Sequence, residues 1–205
     1  MTNILVIVYK FPPMGGVGTR RWAKFAKYLA KNGYKVHILT SYYPYTDKLT
    51  WNNDINSENI IIHTFKSKYP NFLLKEFNNK YINKIKRYTQ YFLSKTLFTI
   101  DNAQYDAYNI LSKAKEIILA NNIKNVIASG HPVSINYIST YLKIDMPFIN
   151  LIQDYRDNWN DLEIYQFGNK NGVKSFQQKE KIAFQEFFTL NYSDYIINVS
   201  DDLTN

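Results

Sequence analysis

The sequence contains no cysteine, only three widely separated histidines, only seven glycines and six prolines in 205 residues, and no apolar run long enough to cross a bilayer. Each shortage removes a class of protein. Without cysteine there is no disulfide framework, no thiolate zinc site and no cysteine nucleophile, and three distant histidines do not make a histidine metal site. The apolar start Ile4 to Val8 is far shorter than the roughly 18 to 20 residues of a membrane span, and no basic stretch precedes it as in an export signal. A cytoplasmic protein that holds no metal is therefore expected. With 45% hydrophobic residues and so little glycine and proline, disorder and collagen-like architecture are excluded, and the chain is long enough for one good core or two small ones.

Acidic residues are also scarce in one place. The formal net charge is +8, and segment 65–98 carries Lys66, Lys68, Lys75, Lys80, Lys84, Lys86, Arg87 and Lys95 against Glu76 alone, so +7 of the excess lies there. A uniformly basic chain points to nucleic acid. One concentrated patch points to a local anionic surface, whether lipid headgroups, phosphate or RNA.

What is present is alternation. Strand-like runs at Ile4 to Val8, Lys35 to Thr40, Asn59 to Phe65, Val126 to Ser129, Phe148 to Ile152 and Tyr195 to Val199 are separated by helical patterns. The helical patterns begin with Trp22, Phe25, Ala26, Leu29 and Ala30, closed by Gly33, and continue near 71–97, 104–121, Val133 to Leu142 and 175–190. Such alternation predicts an α/β fold with a doubly wound, mainly parallel sheet of about six or seven strands, helices covering both faces. No internal repeat or low-complexity linker interrupts residues 1–205, which read as one domain with a basic amphipathic helical insertion near 66–98.

Three loops follow strand ends, where open α/β sheets place their ligand crevice. The first runs from Phe11 to Arg21 and contains Gly15, Gly16, Gly18 and Arg20. Glycines between a strand and a helix N-terminus let backbone N–H groups approach an anion, and the helix dipole favours negative charge there, so phosphate or diphosphate is the natural guest. The alternative is a tight turn that merely needs positive φ. A dinucleotide fingerprint fails because Arg21 stands at its third glycine position and the second strand ends in Thr40-Ser41, with no acid for a ribose. Nicotinamide and flavin cofactors are thereby disfavoured, and no Gly-Lys-Ser/Thr follows to make a P-loop. The second loop, Ser129-Gly130-His131-Pro132-Val133-Ser134, offers His131 as a hydrogen-bond donor or proton shuttle, or simply as an exposed loop histidine. The third holds Asp154, Arg156, Asp157 and Trp159. It reads either as an oriented arginine beside an aromatic platform for a sugar or base, or as an internal salt bridge that locks Arg156.

In segment 71–97, Leu74, Phe77, Tyr81, Ile85, Tyr88 and Phe92 follow three- and four-residue steps while Lys75, Lys86 and several amides occupy other faces. Two readings stand. An interfacial membrane helix would put Lys75, Lys80, Lys84, Lys86 and Arg87 at anionic headgroups and the rings in the acyl boundary. An ordinary helix would pack the same stripe on the sheet. Nucleic-acid binding ranks below both, because no recognition module is visible.

Taken together the loops resemble the N-terminal domain of a family 4-like glycosyltransferase of the two-Rossmann-domain (GT-B) class. Members open with a strand, F-P-P-x-G-G-x-G-x-x-R and a helix, then G-[YH]-x-V-x-[VI]-L-T, matched here by Phe11 to Arg21 and Gly33 to Thr40. Further on, S-G-P-P-x-S, I-P-[WF]-[IV] and D-F-R-D-P-W are similar to Ser129 to Ser134, Met146 to Ile149 and Asp154 to Trp159. His131, Tyr155 and Asn158 depart from the pattern. Ser193 to Ser200 is similar to the last strand of the family's N-terminal domain.

The resemblance implies one Rossmann-like half of a GT-B fold, and metal-independent transfer of a sugar from a nucleotide-sugar donor to a lipid-linked or cell-surface polysaccharide acceptor. It implies that Gly15, Gly16 and Gly18 approach the donor diphosphate and that His131, Asp154 and Arg156 face the cleft. The family's donor-binding second domain is absent from these residues, so the polypeptide alone is expected to be inactive, working when whole at the inner face of the cytoplasmic membrane. The competing expectations are half of a sugar-nucleotide epimerase and a stand-alone phosphate- or glycan-binding module.

Overall fold

A computed structural model describes residues 1–44, 51–73, 77–96, 101–156, 159 and 176–198. The strands are β1 (Thr2–Val8), β2 (Tyr34–Ser41), β3 (Ile60–Phe65), β4 (Asn125–Ser129), β5 (Asn150–Tyr155) and β6 (Tyr195–Asn198). The helices are α1 (Val17–Lys31), α2 (Lys80–Thr96), α3 (Ala107–Ala120), α4 (Ser134–Asp145) and α5 (Phe176–Asn191), with short 3-10 turns at Asn52–Asp54, Asn71–Leu73 and Asn102–Asp106. Every strand pairing is parallel, in the order β3-β2-β1-β4-β5-β6.

The period of two along β1 explains the layering. Ile4, Val6 and Val8 point to one face, where Trp22, Ala26 and Ala30 of α1 cover them together with Val36 and Ile38 of β2. Leu5, Ile7 and Tyr9 point to the other, where they meet Ile110, Ala114, Ile117 and Ile118 of α3 and Ile135, Ile138 and Leu142 of α4. A strand covered on both faces has to be apolar throughout, as β1 is. The expected α/β class, parallel sheet and double winding are therefore the observed ones, with six strands among the described residues.

Two boundaries move. The fifth strand starts at Asn150, after a turn in which Ile149 N donates to Met146 O, and runs on through Gln153 and Asp154. Those two polar residues read as loop, yet both are fully buried, Gln153 exchanging hydrogen bonds with Asn136 of α4. The helix expected near 71–97 starts only at Lys80, where Asn79 Oδ1 accepts from Tyr81 N at 2.8 Å. Phe77 precedes it, and Leu74 and Lys75 lie outside the described residues.

Candidate functional site

The strand order reverses between β1 and β4, and the crevice beyond their carboxyl ends is where such sheets bind ligands. A cleft of about 390 Å³ opens there. Tyr9 and Lys10 border it just after β1, Gly15 to Thr19 around the start of α1, Ser129 to Val133 from the end of β4 to the start of α4, and Arg156 just after β5. Asp101 and Asn102 close it from the turn before α3.

The glycine loop faces the cleft because its apolar residues turn the other way. Phe11 and Met14 are buried, joined by a turn in which Met14 N donates to Phe11 O at 3.1 Å. Gly16 then takes φ 111 and ψ 165, a conformation essentially confined to glycine, and no atom lies within 4 Å of where a side chain would begin. No side chain caps the start of α1. Its first N–H groups and the positive end of its dipole therefore look into the cleft. Arg156 adds a guanidinium on the same side, so close that a Cβ on Gly18 would sit 2.9 Å from Nη1. Among the described residues no carboxylate pairs with Arg156. The other helix start on the cleft is already occupied. Asp101 Oδ2 accepts from Ser134 N at 2.9 Å at the head of α4, and Oδ1 accepts from Ala103 N at 3.0 Å. The cleft thus has a cationic, donor-rich end at α1 and an acidic end at Asp101.

Asp154 lies beneath the cleft and does not line it. Arg21 Nη2 and Trp22 Nε1 donate to its Oδ1 and Oδ2 at 2.5 and 3.0 Å, and Ser129 Oγ donates to Oδ2 at 2.6 Å. The carboxylate pairs with Arg21, not Arg156, and pins α1 to the ends of β4 and β5. This corrects the expectation that it faces a ligand. Trp159 is likewise no platform, since it is 1% exposed, stacked on Tyr155 and packed with Val133 and Ile182. Arg20 points away from the cleft, its guanidinium 5.0 Å above the Trp51 ring. Gly15, Gly16, Gly18, His131 and Arg156 are the expected residues that do line the cleft, while Asp157 lies outside the described residues.

Asp101 went unread in the sequence. The available signal was an Asp three residues before the helical pattern at 104–121, close to the ordinary place of an N-cap. Burial pushes its carboxyl up to about 6, against the backbone donors at Ser134 and Ala103 that favour its charged form. His37, buried in β2 with its Nδ1 3.0 Å from His63 Nε2 of β3, is pushed the other way, down to about 4, by burial first and then by His63 and Lys35. His63 is lowered too, by burial and by Lys113. The consequences for stability oppose each other. His37 favours folding fully above its unfolded value of 6.5, and that contribution is lost as pH falls toward 4. Keeping Asp101 charged opposes folding, and that cost is relieved as pH falls from about 6 toward 3.8. Across this window Asp101→Asn should lose its urea midpoint more steeply than the parent on acidification, and His37→Leu less steeply. Equal slopes in all three proteins would refute the assignment.

Among the described residues no three His, Asp or Glu side chains converge as a metal site, and no helix is long and apolar enough to cross a membrane. No protein-family model matches the sequence, and no curated protein sequence matches it. Solved structures do match. Sucrose-phosphate synthase from Thermosynechococcus elongatus aligns over 100% of this chain and 44% of its own, with 12% identity and a TM-score of 0.60. Phytolacca americana UGT2 complexed with UDP-2-fluoro-glucose and pterostilbene aligns over 80% of this chain and 32% of its own, with 12% identity and a TM-score of 0.46. The dTDP-glucose 4,6-dehydratase of Bacillus anthracis, in complex with NAD, aligns over 97% and 54%, with 12% identity and a TM-score of 0.47. The sucrose-phosphate synthase match establishes a shared Rossmann-like fold, and this chain spans less than half the length of that enzyme.

Proposed function

We propose that the chain is the acceptor-side half of a GT-B glycosyltransferase, which moves a sugar from a nucleotide-sugar donor to a lipid-linked or cell-surface polysaccharide acceptor at the inner face of the cytoplasmic membrane. The observation that carries this reading is the uncapped start of α1, opening through Gly16 onto a cleft at the reversal of strand order. As the bond between the sugar and the diphosphate breaks, negative charge gathers on the leaving phosphate oxygens. Backbone N–H groups of the α1 start and the Arg156 guanidinium meet that charge with dipoles already in place. The acidic end suits a hydroxyl-bearing acceptor, because Asp101 repels phosphate and accepts a hydrogen bond from a sugar hydroxyl. His131 also lines the cleft and serves either in orientation or in proton transfer. Asp154 acts at one remove, by holding α1 in place.

The test is product analysis with the protein of the full open reading frame, supplied with a panel of nucleotide sugars and lipid-linked acceptors. Release of nucleoside diphosphate together with a glycosylated acceptor is expected. An isomerised nucleotide sugar formed without acceptor would establish the epimerase alternative instead. A reading frame that does not continue for another domain, on the order of 150 to 200 residues, would favour a binding module.

A further inference from the structure

A surface helix of a globular protein turns its apolar stripe inward. Helix α2 does the opposite. Tyr81, Ile85, Tyr88 and Phe92 fall on one line down the helix, and they are 80%, 66%, 64% and 65% exposed. On the opposite side, two turns apart, Asn83 and Gln90 tie the helix to the segment before it. Asn83 Nδ2 donates to Phe77 O, its Oδ1 accepts from Phe77 N at 3.2 Å, and Gln90 Nε2 donates to Leu73 O at 3.0 Å. The polar side is thus used internally and the aromatic side faces out, along roughly 17 Å of helix.

We propose that this face of α2 is a docking surface for an anionic lipid bilayer. Charge selects the occupant. The helix carries Lys80, Lys84, Lys86, Arg87 and Lys95 and no acidic residue. Lys80, Lys84 and Arg87 are exposed along one flank of the stripe. Two copies of this chain joined through α2 would bring two such rows together, and a basic protein partner would meet the same repulsion. Anionic headgroups complement the row, while Tyr81, Ile85, Tyr88 and Phe92 enter the boundary between headgroups and acyl chains. A helix lying in that plane also places the cleft. From Thr96 the chain reaches Asp101 in five steps, which span at most roughly 18 Å, so the acidic end of the cleft stays close to the bilayer. The inference deepens the proposed placement at a membrane and rests on that placement alone, not on the transfer chemistry, so that vesicle binding and turnover can fail separately.

The experiment is co-sedimentation of the full 205-residue chain with vesicles of phosphatidylcholine alone and of phosphatidylcholine mixed with phosphatidylglycerol. Binding to the mixed vesicles is expected, weakening as salt is raised, with little binding to the neutral ones. Lys84→Glu with Arg87→Glu should weaken partitioning at least roughly tenfold. Tyr88→Ser with Phe92→Ser should weaken it comparably while leaving the salt dependence. Both pairs alter exposed positions, so circular dichroism should stay at the parental level, and vesicle binding is compared at temperatures where the urea midpoint shows each variant fully folded. Phe92→Trp should show a blue-shifted emission increment on mixed vesicles. Absence of binding to mixed vesicles, equal binding by the charge-reversed variant, or concentration-dependent dimerisation abolished by the Tyr88/Phe92 pair would each overturn the proposal. Vesicle binding by this chain with no sugar transfer by the protein of the full open reading frame would instead overturn the transferase reading and leave this one standing.

Discussion

In the protein of the full open reading frame, Gly16→Val is expected to lower turnover of nucleotide sugar by at least about a hundredfold, the scale on which enzymes lose rate when one donor to a developing oxyanion is removed. Two effects combine. Valine does not adopt φ 111 with ψ 165, so the turn must relax and the amides at the start of α1 are re-aimed. Its side chain also projects into open space, with nothing but its chain neighbours within 4 Å of the new Cβ, where the proposed function puts the diphosphate. The relaxation should cost roughly 1 to 3 kcal/mol in stability, visible as a lower urea midpoint, but the fold survives because no packed neighbour is struck. Gly18→Ala separates site geometry from stability. The new Cβ meets only the tip of Arg156, which can swing aside, so the urea midpoint should barely move. Affinity for a nucleoside diphosphate should nonetheless fall, because the displaced guanidinium no longer flanks the helix start. Parental turnover in Gly16→Val would remove the diphosphate contact from the mechanism.

How far the sequence carries this site depends on how local each feature is. The glycine loop was legible because strand, glycines and helix are contiguous, and their order alone places the amides at a strand end. The core strands were legible for the same reason, since a run such as Ile4 to Val8 is apolar on both faces only where both faces are covered. The partner of Asp154 was not legible. Arg156 is the cation beside it in the chain, whereas Arg21 lies 133 residues away and only the pairing of β1 with β4 and β4 with β5 brings the two together. β5 reads shorter in the sequence than it is because Gln153 and Asp154 are polar. Their burial is tolerable only through Asn136, Ser129, Arg21 and Trp22, all distant in the chain. For α2, periodicity identified the stripe but not its direction. Direction is decided by what the opposite side can bond to, and Asn83 and Gln90 find backbone partners at Phe77 and Leu73. Trp159 shows the reverse hazard, as an aromatic among polar neighbours that nevertheless fills a small apolar cluster.

Asp154→Ala should cost about 3 kcal/mol of stability, near the lower edge of what is lost when one partner of a buried ion pair is removed. The lower edge applies because Arg21 keeps partial contact with water, its side chain being 24% exposed while Asp154 is 1% exposed. Trp22 Nε1 has no such outlet and loses its acceptor within the buried region where α1 meets the sheet, while Ser129 Oγ falls back on the Gly130 carbonyl at 3.2 Å. Arg21→Met alone should be milder, since Asp154 keeps two donors. The double substitution should cost less than the sum, with a coupling of roughly 0.5 to 3 kcal/mol read from a cycle of urea unfolding curves. The same experiment decides the role of the carboxylate. If Asp154 only positions α1, the Michaelis constant for the donor rises in step with the loss of midpoint, and Asp154→Asn, which keeps one acceptor oxygen, recovers part of both. If it touched the reacting atoms, Asp154→Asn would keep most of the stability while kcat collapsed, and the pairing with Arg21 would be incidental to the chemistry.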